Sequence, residues 1–351
     1  WIDLFWILLF KLSIPNVTSA YVSSISGLKN AEYTQLQSAR TNQHALLHQR
    51  SDEDDQDDDD DDEIKTQRKL RFAGVGQLYS QDAKSLPSDG VAESQNVIIE
   101  RLNNSTVCVI GLGGVGSWAA EALCRSGVGN LILIDLDDIC ISNTNRQLHT
   151  TINSIGRMKI DEMQNRLRQI NPQCTVINIH DFITETNVQQ ILDSILPDVD
   201  VVLDAIDSRQ AKTALIAACV DRHISIVTCG GAAGKRDPTR IVSDDLARVN
   251  GDDLLSAVRR NLRKTYGFSE GKKFRELKGK LPKKWKIPAV YSTEDTSLSR
   301  ATATTAATER RRCDSGGLGS ACFVTGTFGF VAAGRVVDMI ARNEYVRPRK
   351  Q

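Results

Sequence analysis

The chain of 351 residues is 40% hydrophobic and 25% charged, which suits one large domain with extensions. Its 44 basic and 44 acidic residues cancel, but they are segregated along the chain, so the zero net charge does not exclude an anionic partner. Eight cysteines, at 108, 124, 140, 174, 219, 229, 313 and 322, form no C-x-x-C pair; several fall in apolar runs and read as buried reduced thiols of an intracellular protein, not a disulfide scaffold or paired-cysteine zinc site.

Residues 1–70 differ from the rest. Residues 1–10 are nearly all apolar and Lys11 follows, a run too short for a membrane span but similar to a signal-peptide core, with Thr18-Ser19-Ala20 as a small-residue cleavage site. Because the chain begins without Met, its natural start is expected upstream. Residues 21–50 are rich in Ser, Thr, Asn and Gln with one acid, Glu32, a composition that suits an organellar transit segment. The alternative is a disordered extension that happens to begin apolar. The expectation is an organellar (mitochondrial or plastid) or membrane-associated protein, with a cytoplasmic one left open. The acidic run 52–63 should be a solvated, unstructured linker. The expected division is therefore an extension over 1–70, a domain over 71–343 and a tail over 344–351.

Arg71 to Tyr79 reads as a helical lead-in, followed by a polar insertion up to Asn104. Thr106-Val-Cys-Val-Ile110 is then a short β-branched run, a buried strand, and Gly111-Leu-Gly113-Gly114-Val-Gly116 follows it directly. A helix over 117–126, stopped by Gly127, and a strand over 131–134 ending at Asp135 complete a βαβ nucleotide cradle. Gly111 permits the tight turn, Gly113 lets the backbone approach a phosphate, and Gly116 allows close helix–strand packing. Free amides of the first helical turn face that phosphate, and Asp135 can accept hydrogen bonds from ribose hydroxyls. The competing reading is a glycine turn kept for packing, and the cradle alone does not choose between NAD and ATP.

Beyond it, 141–147 is a polar cluster holding a cation, Arg146, beside the strand ends, which is unusual for a hydride-transfer fold. Residues 156–170 form an amphipathic helix with Lys159 in its first turn, where a cation opposes the helix dipole and needs an anionic partner unless it snorkels to water. A strand (175–179), helix (186–196), strand (199–203), helix (209–223) and strand (224–228) follow. That alternation means an α/β fold, a Rossmann-like, mostly parallel sheet with helices on both faces and ligands at the strand C-termini. Asp135, Asp204, Asp207 and Gly230-Gly231 should crowd one edge.

From Asp237 a turn leads into an antiparallel strand, an antiparallel extension of the sheet. Residues 259–286 then carry twelve Lys and Arg against Glu270 and Glu276. They read either as a solvated face or, given the interleaved Tyr266, Phe268, Phe274 and Trp285, as a surface for a polyphosphate such as RNA. Residues 290–294 should be a strand end and 295–312 a mobile loop. Residues 321–342 are apolar enough to span a membrane, but Arg335 and Asp338 interrupt them, which favours a core helix packed through Gly326 and Gly329.

Gly111-x-Gly-Gly-x-Gly116, Asp135-x-Asp137, Asn143-x-Asn-Arg-Gln147, Gly156-x-x-Lys159 and Asp204-x-x-Asp207 occur in the order and spacing of the ThiF/MoeB superfamily, which the chain resembles over 71–343. Trp118-Ala-Ala-Glu-Ala-Leu123, Asp204-Ala-Ile-Asp-Ser208, the Gly230-Gly231 to Asp237-Pro-Thr239 segment and Tyr291-Ser-Thr-Glu294 make it most similar to the tRNA threonylcarbamoyladenosine dehydratase branch. The resemblance implies ATP-dependent activation of a threonyl carboxylate on tRNA, giving an acyl-adenylate and then a cyclised base. It further implies that Arg146 and Lys159 grip the triphosphate and that Asp207 holds Mg2+. Asp135 would hold the ribose and Asn143 and Gln147 the loop and nucleotide, with Gly111, Gly113, Gly114, Gly116, Asp137 and Asp204 lining the site. Its partners would be tRNA and a second copy in a homodimer, with membrane association through the apolar N-terminus a further expectation. Bland alternatives stand beside these: Asp204 could cap a turn and Asn143 could complete an Asx-turn.

Two departures matter. Gly74 stands where the superfamily's lead-in carries an arginine that reaches across a dimer, and Pro288-Ala289 stand where a cysteine sometimes precedes Tyr-Ser-Thr-Glu, which argues against a thioester step. The rival readings are an activator of ubiquitin-like or sulfur-carrier proteins, which would bring paired C-x-x-C motifs, an NAD-dependent dehydrogenase, and a non-catalytic RNA-binding protein.

Overall fold

The computed structural model describes residues 57–81, 91–196, 198–269, 282–295 and 318–345, and the chain divides into two units, 1–65 and 66–351. The apolar N-terminal run and the mobile-loop reading of 295–312 fall essentially outside the described residues. The acidic run does not behave throughout as an unstructured linker: from Asp57 it is helical, forming the start of α1 (Asp57–Ser80). A helix N-terminus is the one place where a block of aspartates is favoured, because the macrodipole there is positive. Within the second unit, Phe72 of α1 is buried against Gly127, and Arg71 donates to Asn171 Oδ1 (3.1 Å).

Helix α2 (Val91–Asn103) precedes β1 (Thr106–Ile110), α3 (Gly116–Arg125) and β2 (Asn130–Ile134). Then come α4 (Lys159–Ile170), β3 (Thr175–Ile179), α5 (Val188–Ile195), β4 (Val201–Asp204), α6 (Arg209–Asp221) and β5 (Ser225–Cys229). The antiparallel portion holds β6 (Ile241–Asp245), α7 (Asp253–Tyr266) and β7 (Pro288–Ser292), and α8 (Cys322–Ala341) closes the fold. The sheet runs β3-β2-β1-β4-β5-β7-β6, all pairs parallel except β6 with β7. The chain winds outward from β1 to β3 and returns to β4 on the other side of β1. The topological switch point, where open α/β sheets bind ligands, therefore lies between the carboxyl ends of β1 and β4.

Each central strand buries both faces. Val107, Val109, Leu131, Leu133, Val201 and Leu203 point into one core with residues of α3, α4 and α8. Cys108, Ile110, Ile132, Ile134 and Val202 point into the other, with residues of α5, α6 and α7. Full burial of one such aliphatic side chain contributes about 1.5–3 kcal/mol, which explains the near-continuous apolar runs. The membrane-like helix is α8, and it packs on α3 closely enough that a Cβ on Gly329 would lie 2.7 Å from Val115 O, while Gly326 faces the Trp118 ring. Five of the seven described cysteines are buried.

Some boundaries differ from the sequence pattern. The helix expected from Gly156 starts only at Lys159, because Gly156 sits at φ +83° and residues 156–158 are drawn into backbone bonds with Ile139 and a bridge between Asp138 and Met158. The helix expected from 186 starts at Val188, since Thr184 and Asn187 bond to each other in a turn (2.7 and 3.2 Å). Strand β7 extends back to Pro288 and sits between β5 and β6.

Candidate nucleotide site

The glycine loop leaves β1 at the switch point. Gly111 has φ +86°, which only glycine adopts without strain. A Cβ on Gly116 would lie 1.8 Å from Gly111 O, so this glycine serves mainly to let the loop close on itself. A Cβ on Gly113 would meet nothing within 4 Å, so that face is open for an approaching phosphate. Val115 caps α3 without a side-chain bond, and although Ser117 N–H is taken by Gly113 O (3.2 Å), the other first-turn amides are left to an anionic ligand.

Asp135 follows β2 and is buried. Its Oδ2 accepts from Leu112 N–H (2.6 Å) and its Oδ1 from Asp137 N–H (2.8 Å), tying the loop to the end of β2. Burial raises its carboxyl above the usual range against the charge of Lys159 and these two N–H bonds. A carboxylate oxygen has two acceptor sites, so these bonds leave room for a ribose hydroxyl.

Arg146 lies at the lip of the loop, its Cγ 3.4 Å from where a Cβ on Gly114 would stand. Its guanidinium donates to Ser142 O (2.7 Å) and Asn145 Oδ1 (3.0 Å), and its carbonyl accepts from Trp118 Nε1 (3.0 Å) and Thr325 Oγ1 (3.2 Å). Lys159 is buried with its ammonium 2.6 Å from Asp137 Oδ2; Asp137 is the anionic partner its position called for. Asn143 is buried and its Oδ1 accepts from Cys140 N–H (3.0 Å), closing a turn. Gln147 is buried and its amide oxygen has no partner among the described residues.

The Asp204-x-x-Asp207 pair separates into two environments. Asp204 was expected to line the nucleotide, but its side chain is fully buried. Its Oδ2 accepts from Lys212 Nζ (2.7 Å) and Thr228 Oγ1 (2.7 Å), and its Oδ1 from Ile206 N–H (3.1 Å). It caps the turn, as its bland alternative had it. Asp207 is exposed beyond that turn, and the turn itself rests on the glycine loop, with Ala205 O 3.1 Å from the position of a Gly111 Cβ. The glycine loop is thus bordered by Arg146, by the Asp135–Asp137–Lys159 chain, and by the Asp207 turn.

Sequence reasoning missed several supporting residues. Thr325 and Trp118 fix Arg146 from distant segments, and Lys212 is a charge hidden in an apolar helix. Asp252 caps α7 by accepting from Leu255 N–H (2.8 Å) and also holds Gly231 N–H (2.9 Å), joining that helix to the Gly230-Gly231 turn. Glu294 accepts from Arg236 and Asp237 N–H (2.9 Å each); its place in Tyr291-Ser-Thr-Glu294, like that of Trp118 in Trp118-Ala-Ala-Glu-Ala-Leu123, was an available signal. His149 is buried beside Lys159 and Arg166, and neither ring nitrogen has a partner among the described residues. Burial, then these two cations, lower its pKa to about 3.

In the basic segment, Arg260, Lys264, Lys283, Lys284 and Lys286 are exposed, whereas 270–281, with five of its cations and Phe274, lies outside the described residues. Its aromatics are not all free for bases. Trp285 meets Phe268 edge-on at 5.0 Å and lies under Arg263 at 5.2 Å. Asp245 pins the backbone there by accepting N–H bonds from Trp285, Lys286 and Ile287 (2.8, 2.7 and 3.2 Å).

A doubly wound sheet with a cation-flanked glycine loop at its switch point defines a nucleotide-binding α/β protein. The ThiF family model matches residues 84–346. The tRNA threonylcarbamoyladenosine dehydratases of Haemophilus influenzae and Escherichia coli are 40% and 41% identical, over 78% and 75% of this chain and 94% and 91% of theirs. The crystal structure of the Escherichia coli enzyme in complex with ATP matches with a TM-score of 0.63 and 36% identity, covering 79% of this chain and 96% of that one, and an AMP complex matches equally. The chain belongs to the ThiF family.

Proposed function

We infer that this protein is an ATP-dependent tRNA threonylcarbamoyladenosine dehydratase. The observation that carries the reading is the ring of opposite charges around one glycine loop: Arg146 against Gly114, and Lys159 against Asp137, with Asp207 beyond the turn that packs on Gly111. An oxygen of the threonyl carboxylate attacks the α-phosphorus of ATP, and the bond to the β-phosphate oxygen breaks to release pyrophosphate. A nitrogen or oxygen of the carbamoyl group then attacks the activated carbonyl carbon, the group gives up one N–H proton, and AMP leaves with the bonding pair and one former carboxylate oxygen. The tRNA base has lost one water in total.

The chain's own groups suit this charge flow. The first-turn amides of α3 and Arg146 face the phosphates, and Lys159 exchanges Asp137 for a phosphate oxygen as charge builds there. The described residues hold no cluster of three or more metal-ligating side chains. One carboxylate, Asp207, with phosphate oxygens and water completing the shell, fits Mg2+, which usually binds through one or two carboxylates plus substrate phosphates. When bound, Mg2+ would neutralise charge on the leaving pyrophosphate.

The exposed cations on α7 and at 283–286 support tRNA as partner. A second copy is the other partner that the reading carries, and exposed Ile141, Ile152, Phe323 and Phe330 are apolar side chains that such an interface would cover. Size-exclusion chromatography with light scattering tests that: an obligate monomer ends the dimer reading. The apolar residues 1–10 support membrane association or organellar targeting, which imaging of a full-length fusion tests. For the activity, enzyme, ATP and magnesium are incubated with threonylcarbamoyl-modified tRNA, and the nucleosides are read by mass spectrometry. Loss of one water, abolished in a folded Lys159→Ala protein, is expected; full conversion by that variant refutes the assignment.

A further inference from the structure

The Lys212–Asp204 pair lies wholly inside this fold, with both side chains at 0% exposure. A fully buried ion pair gains little over well-packed apolar residues, because desolvating both charges costs about what their attraction returns. Stability therefore does not explain it, and its position does. Asp204 ends β4 in register with Ile110 of β1, and Ala205 N–H donates to Ile110 O (2.9 Å), so the turn is anchored at its start. Lys212 lies in the first turns of α6, where its own N–H donates to Ser208 O (2.9 Å), so it is anchored at the turn's end. Its ammonium reaches back to Asp204 Oδ2 (2.7 Å) and lies 3.3 Å from Thr228 Oγ1 on the neighbouring strand β5. Thr228 Oγ1 donates to the same carboxylate oxygen (2.7 Å). The ion pair thus closes a loop of nine residues at its base, and Asp207 is the exposed carboxylate within that loop, with Arg209 the exposed cation two residues on.

We propose that Lys212, acting through Asp204 and Thr228, is a positioning residue that sets where the Asp207 carboxylate stands relative to the glycine loop and so sets affinity for the divalent cation that accompanies ATP. This rests on the reading of Asp207 as the metal-holding group. A carboxylate on an exposed turn samples several orientations. A turn pinned at both ends beneath a rigid strand loses that freedom before the ligand arrives, which strengthens binding without any contact between Lys212 and the ligand.

The test uses the whole protein and Mn2+ as the metal probe, titrated by electron paramagnetic resonance in the presence of a non-hydrolysable ATP analogue, with thermal unfolding of each variant alongside. Replacing Lys212 alone would strand a buried carboxylate, so the neutral double variant Asp204→Asn/Lys212→Met is used. It should unfold cooperatively yet bind Mn2+ at least ten-fold more weakly, while analogue affinity measured without metal changes less than three-fold. Thr228→Val, which removes one donor at nearly constant volume, should weaken Mn2+ binding two- to five-fold in the same direction, and it decides the matter if the double variant does not fold. Folded variants that keep Mn2+ affinity within two-fold of the parent overturn the positioning role. Asp207→Asn separates the two ideas: if that variant also binds Mn2+ normally, the metal assignment of Asp207 itself is wrong, whereas if it alone loses the metal, only the role of Lys212 falls.

Discussion

Replacing His149 with leucine should make the protein less sensitive to acid. The imidazole is 4% exposed, and burial, with Lys159 and Arg166 adding to it, lowers its pKa from 6.5 to about 3. The unfolded chain therefore takes up this proton as pH falls below about 6.5, while the folded chain takes it up only near 3. Stability is complete above pH 7 and lost on descending through that window. The full difference corresponds to at most about 5 kcal/mol, and integrating it between pH 7 and pH 5 gives a loss of about 2 kcal/mol. For a domain of this size that is a fall in Tm of about 4–8 °C. Leucine fills a similar volume and strands no hydrogen-bond partner of the ring, so its effect at pH 7 should be small. Other groups titrate too. Burial raises the Glu121 carboxyl, but its bonds to Arg166 and Arg125 outweigh this and hold it below the usual range; such groups are common to both proteins and cancel. The assay is thermal unfolding of parent and His149→Leu at pH 7 and pH 5. The parent should lose about 4–8 °C more than the variant, and parallel losses within 1 °C would mean that the folded imidazole titrates near its ordinary value and that its burial is not as described.

Gly116→Ala places a methyl 1.8 Å from Gly111 O, so the loop must open; calorimetry should show ATP affinity reduced at least 100-fold, and an unchanged affinity would remove Gly116 from the site. Asp245→Ala leaves the N–H groups of Trp285, Lys286 and Ile287 without their acceptor, which should cost about 2–3 kcal/mol by urea unfolding; a change under 0.5 kcal/mol contradicts it. Neutralising Lys283, Lys284 and Lys286 together should weaken tRNA binding and lower the slope of log affinity against log salt by about one unit per lost phosphate contact, and a slope equal to the parent's places the RNA elsewhere.

Much of the scaffold was legible because it is written in local terms. Runs of β-branched residues, helical spacing and glycine-terminated helices set the order of elements, and the alternation of strand and helix implied the parallel sheet. What failed was local competition. The Thr184–Asn187 turn and the bridge at Met158 each delayed a helix whose apolar spacing began earlier. The aspartates from Asp57 looked like a linker because composition carries no knowledge of the helix that follows them.

For the candidate site, the sequence alone determined which chemistries were present and in what order: a glycine turn before a helix, an acid after β2, a cation in the first turn of α4. Those follow from backbone geometry within a few residues. Only the tertiary structure decided which way each charge faces. Asp204 and Asp207 are three residues apart, yet one meets Lys212 and Thr228 in the core and the other meets solvent. Arg146 is set by Thr325, 179 residues away. A buried charge is tolerable only where a partner from another segment neutralises it, so its direction is chosen by packing between segments and not by its neighbours in the chain.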